Sequence, residues 1–217
     1  MVTPKLNVKH VLIFALVSTL FVLVWFYKGF LFATAEEGMP FYDLSRAATI
    51  YGDVWLRWGI GLVYSVGLPL SFSAKVVSYA GLLLNNVQTQ AIVFFLLIFS
   101  GMFGTYLLTK RVTGKGLLSL FAGLFYFLNL YSMSQVWRRS LYVGMFSWAF
   151  LPIFTYLVLC FLEERKVKYL FQLIVINFLF LWLYSNPGYV FSIIATFLTL
   201  VSYLILRSRN KLEKLGI

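Results

Sequence analysis

Six apolar runs, separated by short loops that hold most of the charge, are the feature that most constrains how this chain folds. A helix of about 20 apolar residues spans a bilayer. Charged residues make up only 12% of the chain, whereas a soluble domain has about 25%. The sequence therefore predicts an all-α, polytopic membrane helix bundle with six transmembrane helices. The predicted spans are residues 11–32, 91–108, 117–131, 141–162, 169–184 and 189–206.

The basic residues indicate how these spans are oriented. Twelve of the 18 lysines and arginines fall before the first span, after the last one, or in the second–third and fourth–fifth loops. Six spans place all twelve on one side, and the positive-inside rule makes that side cytoplasmic. We therefore expect a multi-pass protein of the cell membrane with both termini in the cytoplasm. Because the basic residues cluster in loops between apolar runs, we expect membrane lipid and no nucleic acid as a partner.

The sequence predicts one membrane domain, residues 1–217, and the stretch after its first span allows two interpretations. Residues 59–84 are apolar enough to form a seventh span, but Pro69 and Lys75 interrupt them. A crossing there would also move the next basic loop to the wrong side. We therefore favour interfacial helices in the first extracytoplasmic loop. The predicted parts are a first span within residues 10–33, an extracytoplasmic acidic loop over 34–87 and five further spans within 88–207.

That loop holds Glu36, Glu37, Asp43 and Asp53, four of the seven acidic residues in the chain. Apolar surroundings disfavour the charged form of a carboxylate, which can tune it for general-base catalysis near neutral pH. Glu36, Glu37 and Asp43 are therefore our candidate catalytic residues. The structural alternatives are a solvated helix flank for the two glutamates and a helix N-cap for Asp43. We assign no metal ligands, although loop carboxylates can also bind a divalent cation.

Candidate substrate-binding residues are Asp53, Arg57, Trp137, Arg138 and Arg139. Asp53 can cap an interfacial helix, pair with Arg57 or bind substrate. Paired arginines on the outer side run against the positive-inside bias, and guanidinium groups bind phosphate bidentately. Trp137 can anchor this loop or stack on a sugar. Contact of the arginines with anionic lipid headgroups is the alternative.

Several stretches, in order and spacing, resemble the amino-terminal half of GT-C glycosyltransferases. The resemblance is to the arabinofuranosyltransferase-D type and the related YfhO-like membrane proteins, and it covers roughly residues 10–206. The matching stretches are AEEGMPFYDLSR, DVWLRWGIGLVYSVGLPL, GTYLLTKRVTGK, AGLFYFLNLYSMSQ, WAFLPIFTYL and YSNPGYV.

The resemblance implies an enzyme that transfers a sugar from a polyprenyl-phosphate donor to an extracytoplasmic glycan, lipid or protein acceptor. The implied mechanism is inverting, with a loop carboxylate as the base. The family's acidic position falls on Glu36 or Glu37, but the family usually has aspartate here, so Asp43 stays an alternative. Because family members have more spans, we expect this chain to be the amino-terminal part of a longer module or to act with a second membrane subunit.

Two non-catalytic functions stay open. A membrane scaffold or subunit of a larger glycosylation or cell-envelope complex would keep the fold without turnover. A small transporter or lipid flippase is suggested by Pro152 within the fourth span and by the Asn-Pro-Gly turn in residues 185–188. Against it, no predicted span contains the intramembrane acidic residue that coupled transporters usually show.

Overall fold

A computed structural model describes residues 6–32, 43–44, 75–76, 79–81, 83–137, 142–180 and 187–214. Within these ranges the chain is helical and contains no strand, as the sequence predicts. The α-helices are α1 Val8–Phe26, α2 Asn86–Thr113, α3 Gly116–Leu128, α4 Tyr142–Glu164, α5 Val167–Leu179 and α6 Pro187–Lys214. A π-helical segment, Ser132–Trp137, lies between α3 and α4.

Four helical segments in the described part of the chain are long and apolar enough to cross a membrane. They are Val8–Phe26, Asn86–Thr113, Gly116–Ser134 and Gly144–Glu164. Val167–Leu179 and Val190–Tyr203 are shorter apolar helices. These features indicate a membrane protein. The number of six spans stays a prediction, because two of the six apolar helices are short. The interfacial helices also stay a prediction, because most of residues 34–87 lie outside the described ranges.

The first helix ends earlier than the apolar run that predicts it. α1 stops at Phe26, and Gly29 then adopts a φ of 70°, a left-handed conformation that glycine accepts without strain. The apolar run continues to Phe32 in non-helical backbone. Hydropathy alone does not distinguish these apolar residues from a last helical turn.

Helix α2 is central, and α1, α3 and α4 all pack against it. Its contact with α4 is close because Gly101 and Gly104 lie at the interface. A Cβ atom at Gly101 would overlap the Trp148 indole, and one at Gly104 would lie 2.9 Å from the backbone nitrogen of Ile153. Small residues of this kind let helix backbones approach closely in membrane proteins.

The helix ends gather into two groups, which we call the basic end and the aromatic end. At the basic end, the His10 ring of α1 lies 5.5 Å from Tyr106 of α2, and Arg111 of α2 pairs with Glu163 of α4. At the aromatic end, Phe26 of α1 packs on Phe94 near the start of α2. Lys9 at the start of α1 and the basic residues of the α2–α3 and α4–α5 turns therefore belong to one end of the bundle.

Candidate functional site

Aromatic rings fill the aromatic end of the bundle. The cluster consists of Trp25, Phe26, Phe32, Phe94, Phe127, Trp137 and Trp148. Its rings meet edge-on or tilted, with Trp25 and Trp137 centroids 5.7 Å apart. Each such pair stabilises the fold by about 0.5–1.5 kcal/mol beyond the contribution of its buried surface area. The cluster thus packs together the points from which the next chain segments continue.

A buried glutamine fixes the chain after α1. The side-chain oxygen of Gln90 accepts a hydrogen bond from the Phe32 backbone N–H at 2.8 Å. Its side-chain nitrogen donates to the Phe32 carbonyl oxygen, also at 2.8 Å. Gln90 is 0% exposed, and the Phe32 ring packs on Phe26 and Phe94. This two-point contact sets the place from which the acidic segment begins.

Trp137 lies in the same cluster. It is only 4% exposed and contacts Trp25, Phe94, Phe127 and Trp148. This environment suits a residue that anchors the segment after it, where the two arginines follow in sequence. Stacking of the Trp137 ring on a sugar stays a prediction.

The other candidate residues are only partly covered by the structure. Asp43 is exposed, and it precedes Leu44, which is buried and packs so closely on Gly81 that a Cβ atom there would overlap it. No group of three or more His, Cys, Asp or Glu residues that could hold a metal occurs in the described ranges. A divalent cation in the acidic loop stays a prediction. Lying outside the described residues are Glu36, Glu37, Asp53, Arg57, Arg138 and Arg139.

An ion-pair cluster at the basic end is a polar site that the sequence interpretation missed. The Arg111 side chain is 2% exposed. Its Nη2 and Nε donate to Glu163 Oε2 at 2.9 and 3.1 Å, and its Nη1 lies 2.9 Å from Glu164 Oε1. One guanidinium therefore bridges two adjacent carboxylates. We name Arg111, Glu163 and Glu164 the Arg111 clamp.

The Arg111 clamp also connects α4 to α5. Lys166 Nζ lies 2.9 Å from Glu164 Oε2, and the Tyr169 hydroxyl donates to Glu164 Oε1 at 3.1 Å. Charged hydrogen bonds of this kind are stronger than neutral ones. The signal available in the sequence was the Glu163–Glu164 pair at the end of an apolar run, because carboxylates beside apolar surface need cations. The clamp ties α2, α4 and α5 together at the basic end.

Replacing Gln90 with methionine is expected to lower the free energy of unfolding by about 1–3 kcal/mol, because the Phe32 N–H and C=O then lose their partner. Thr89→Val is the matched control. Thr89 is also buried, but its hydroxyl donates to the backbone carbonyl oxygen of Asn85, one helical turn earlier, and not to Phe32. The measurement is the apparent melting temperature in detergent. Equal melting temperatures for the two variants would contradict the anchoring role of Gln90.

The described residues thus form two distinct polar and aromatic regions, one at each end of the bundle. At the aromatic end, the acidic segment follows Phe32 in sequence and the arginine pair follows Trp137. The basic end holds the Arg111 clamp. In comparisons with known proteins, no family model, curated protein or solved structure matches this chain.

Proposed function

We propose that this protein is a membrane glycosyltransferase of the GT-C type, or the amino-terminal part of one, with its reaction site beside the aromatic end. The observation that supports this proposal is a shared pair of ring contacts. The ring centroid of Phe32 lies 6.0 Å from that of Trp25 and 5.7 Å from that of Phe94. The ring centroid of Trp137 lies 5.7 Å from that of Trp25 and 5.8 Å from that of Phe94. The two segments that carry the candidate residues therefore start from neighbouring points.

Chain length limits how far the candidate residues can be from these points. Glu36 follows Phe32 by four residues, and Arg138 directly follows Trp137. At about 3.3–3.6 Å per residue, Glu36 lies within about 14 Å of Phe32, and Arg138 within about 4 Å of Trp137, measured between Cα atoms. A substrate that is bound at this end can therefore meet a carboxylate and a guanidinium together.

The proposed reaction is an inverting transfer from a polyprenyl-phosphate sugar. A carboxylate of Glu36, Glu37 or Asp43 takes the proton from the acceptor hydroxyl. The hydroxyl oxygen bonds to the anomeric carbon while the bond from that carbon to the phosphate oxygen breaks. The phosphate leaves with the electron pair as polyprenyl phosphate. Arg138 and Arg139 stabilise its developing charge, and Asp53 and Arg57 are further candidates for holding substrate.

The proposal also fixes an orientation. The protein is multi-pass, with six spans, interfacial helices in residues 34–87, and both termini in the cytoplasm. Its support is the collection of the basic loops at the end opposite the aromatic cluster, which matches the positive-inside rule. The aromatic end then faces the outer headgroup layer, where a lipid-linked donor presents its phosphate.

The experiment that tests this function uses the purified protein in liposomes. A panel of polyprenyl-phosphate donors with labelled hexose or pentose is supplied together with an extract of cell-envelope acceptors. We expect label to leave the lipid fraction and enter the acceptor fraction only when the protein is present. Full retention of label on every donor would contradict the proposal.

A further inference from the structure

A groove of 590 Å³ opens between α2, α4 and α5 near the basic end. This volume lies within the range of about 300–1,000 Å³ that is usual for small-molecule sites. Along α5, the lining alternates between polar and apolar residues, with Tyr169 and Phe171 between Lys168 and Gln172. Lys168 lies in the first turn, Gln172 one turn later, and Val175 and Ile176 one turn beyond that.

The facing helices contribute one polar side chain, that of Tyr156, among apolar ones. Both α2 and α4 run towards the basic end, where Arg111 and Glu163 meet. Leu107 and Tyr156 therefore lie nearer to that end than Phe103 and Ile153, which line the groove one turn or less further along. The groove thus sets a phenol hydroxyl, an amide and an ammonium group among hydrocarbon side chains.

Positive charge is in excess at the polar mouth. Residues 110–111 and 163–168 at the basic end hold two carboxylates and five cations, and of these cations Lys168 lines the groove. Arg111 and Lys166 pair with these carboxylates. Lys168 makes no ion pair with any described residue, and its Nζ lies 4.6 Å from the centroid of the Tyr169 ring. Because Lys168 is also in the first turn of α5, the helix dipole adds to the attraction for an anion.

Gln172 points to an occupant with polar atoms further inside. It is an exposed amide flanked by Phe171 and Leu173 on α5, and it forms no hydrogen bond with the described residues. An amide in apolar surroundings without a partner is costly. Since Lys168 and Gln172 are four residues apart, they lie on one face of α5 and can bind the same molecule.

We propose that this groove binds an anionic phospholipid. Its phosphate contacts Lys168, its ester or glycerol oxygens contact Gln172 and Tyr156, and one acyl chain lies along Phe103 and Val175. Basic pockets between membrane helices bind acidic headgroups in this way. The site is at the end opposite the proposed transfer site and does not depend on it.

Native mass spectrometry of the purified full chain in detergent tests this site. The protein is titrated with dioleoyl phosphatidylglycerol or dioleoyl phosphatidylcholine, and lipid adducts are counted. We expect the phosphatidylglycerol adduct to form at about tenfold lower lipid concentration. Lys168→Gln should raise that concentration about fivefold, which is the size of effect expected for one lysine at an anionic surface. Gln172→Leu should also raise it. Both residues are exposed, so the variants should keep their fold, which size-exclusion chromatography checks.

Lys115→Gln is the matched control, because Lys115 is exposed in the α2–α3 turn at the basic end and does not line this groove. It should leave lipid binding unchanged. Equal effects of Lys115→Gln and Lys168→Gln would mean attraction by surface charge only and would overturn the proposal. Equal binding of the two lipids would do the same. So would displacement of the lipid by millimolar inorganic phosphate, which would indicate a free-anion site.

Discussion

Converting Glu36, Glu37 and Asp43 together to Gln, Gln and Asn is expected to lower the rate of sugar transfer by about 10²–10⁴-fold, the usual contribution of a general base. An amide keeps the shape of the side chain but cannot take the proton from an acceptor hydroxyl. The amount of folded protein should stay unchanged. The measurement is the initial rate of label transfer from the polyprenyl-phosphate donor, at equal amounts of protein eluting as a single species.

Single variants then assign the base among the three carboxylates. Glu213→Gln is the matched control, because it removes a carboxylate that has no part in the proposed site. It should transfer sugar at the wild-type rate. If the triple variant also keeps the wild-type rate, the acidic loop has no role in the chemistry.

Replacing Arg111 with methionine is expected to destabilise the protein by about 3–5 kcal/mol, the cost of removing one partner from a buried ion pair. Methionine fills part of the space of the arginine but leaves Glu163 and Glu164 without the guanidinium that bridges them. The apparent melting temperature and the yield of monomeric protein in detergent measure the effect. Lys115→Met, at an exposed position of the same end, should have almost no effect.

A compensating variant separates lost charge balance from lost packing. Adding Glu163→Gln and Glu164→Gln to Arg111→Met removes the two negative charges that the guanidinium had balanced, so most of the lost stability should return. If the variant with all three changes at Arg111, Glu163 and Glu164 is no more stable than Arg111→Met alone, the clamp does not stabilise the protein through charge. Wild-type stability of Arg111→Met would show that the clamp does not contribute at all.

Hydropathy was sufficient to predict the helical fold class, because backbone groups in a membrane must be satisfied within helices. It was insufficient for the helix ends, which depend on local signals. Helix α2 extends back to Asn86 because Asn85 and Gln88 form reciprocal capping hydrogen bonds. It continues to Thr113 because Gly114 accepts a φ of 71°. Both signals are present in the sequence.

The contacts that organise the two ends could not be predicted from local patterns. Gln90 and Phe32 are 58 residues apart, and Arg111 and Glu163 are 52 residues apart. Their pairing depends on how α1, α2 and α4 pack, which a single sequence does not reveal. The candidate residues were chosen by composition and resemblance, and only Asp43 and Trp137 among them lie in the described ranges.

The central claim is that the acidic segment and the arginine pair meet at the aromatic end. Double electron–electron resonance between spin labels at Glu36→Cys and Arg138→Cys tests it, with the buried Cys160 changed to alanine. The control pair is Glu36→Cys and Lys115→Cys, whose second label lies at the basic end. We predict a separation on the order of 20 Å for the first pair and on the order of 40 Å, a full bilayer, for the control. Equal separations for the two pairs would contradict the account.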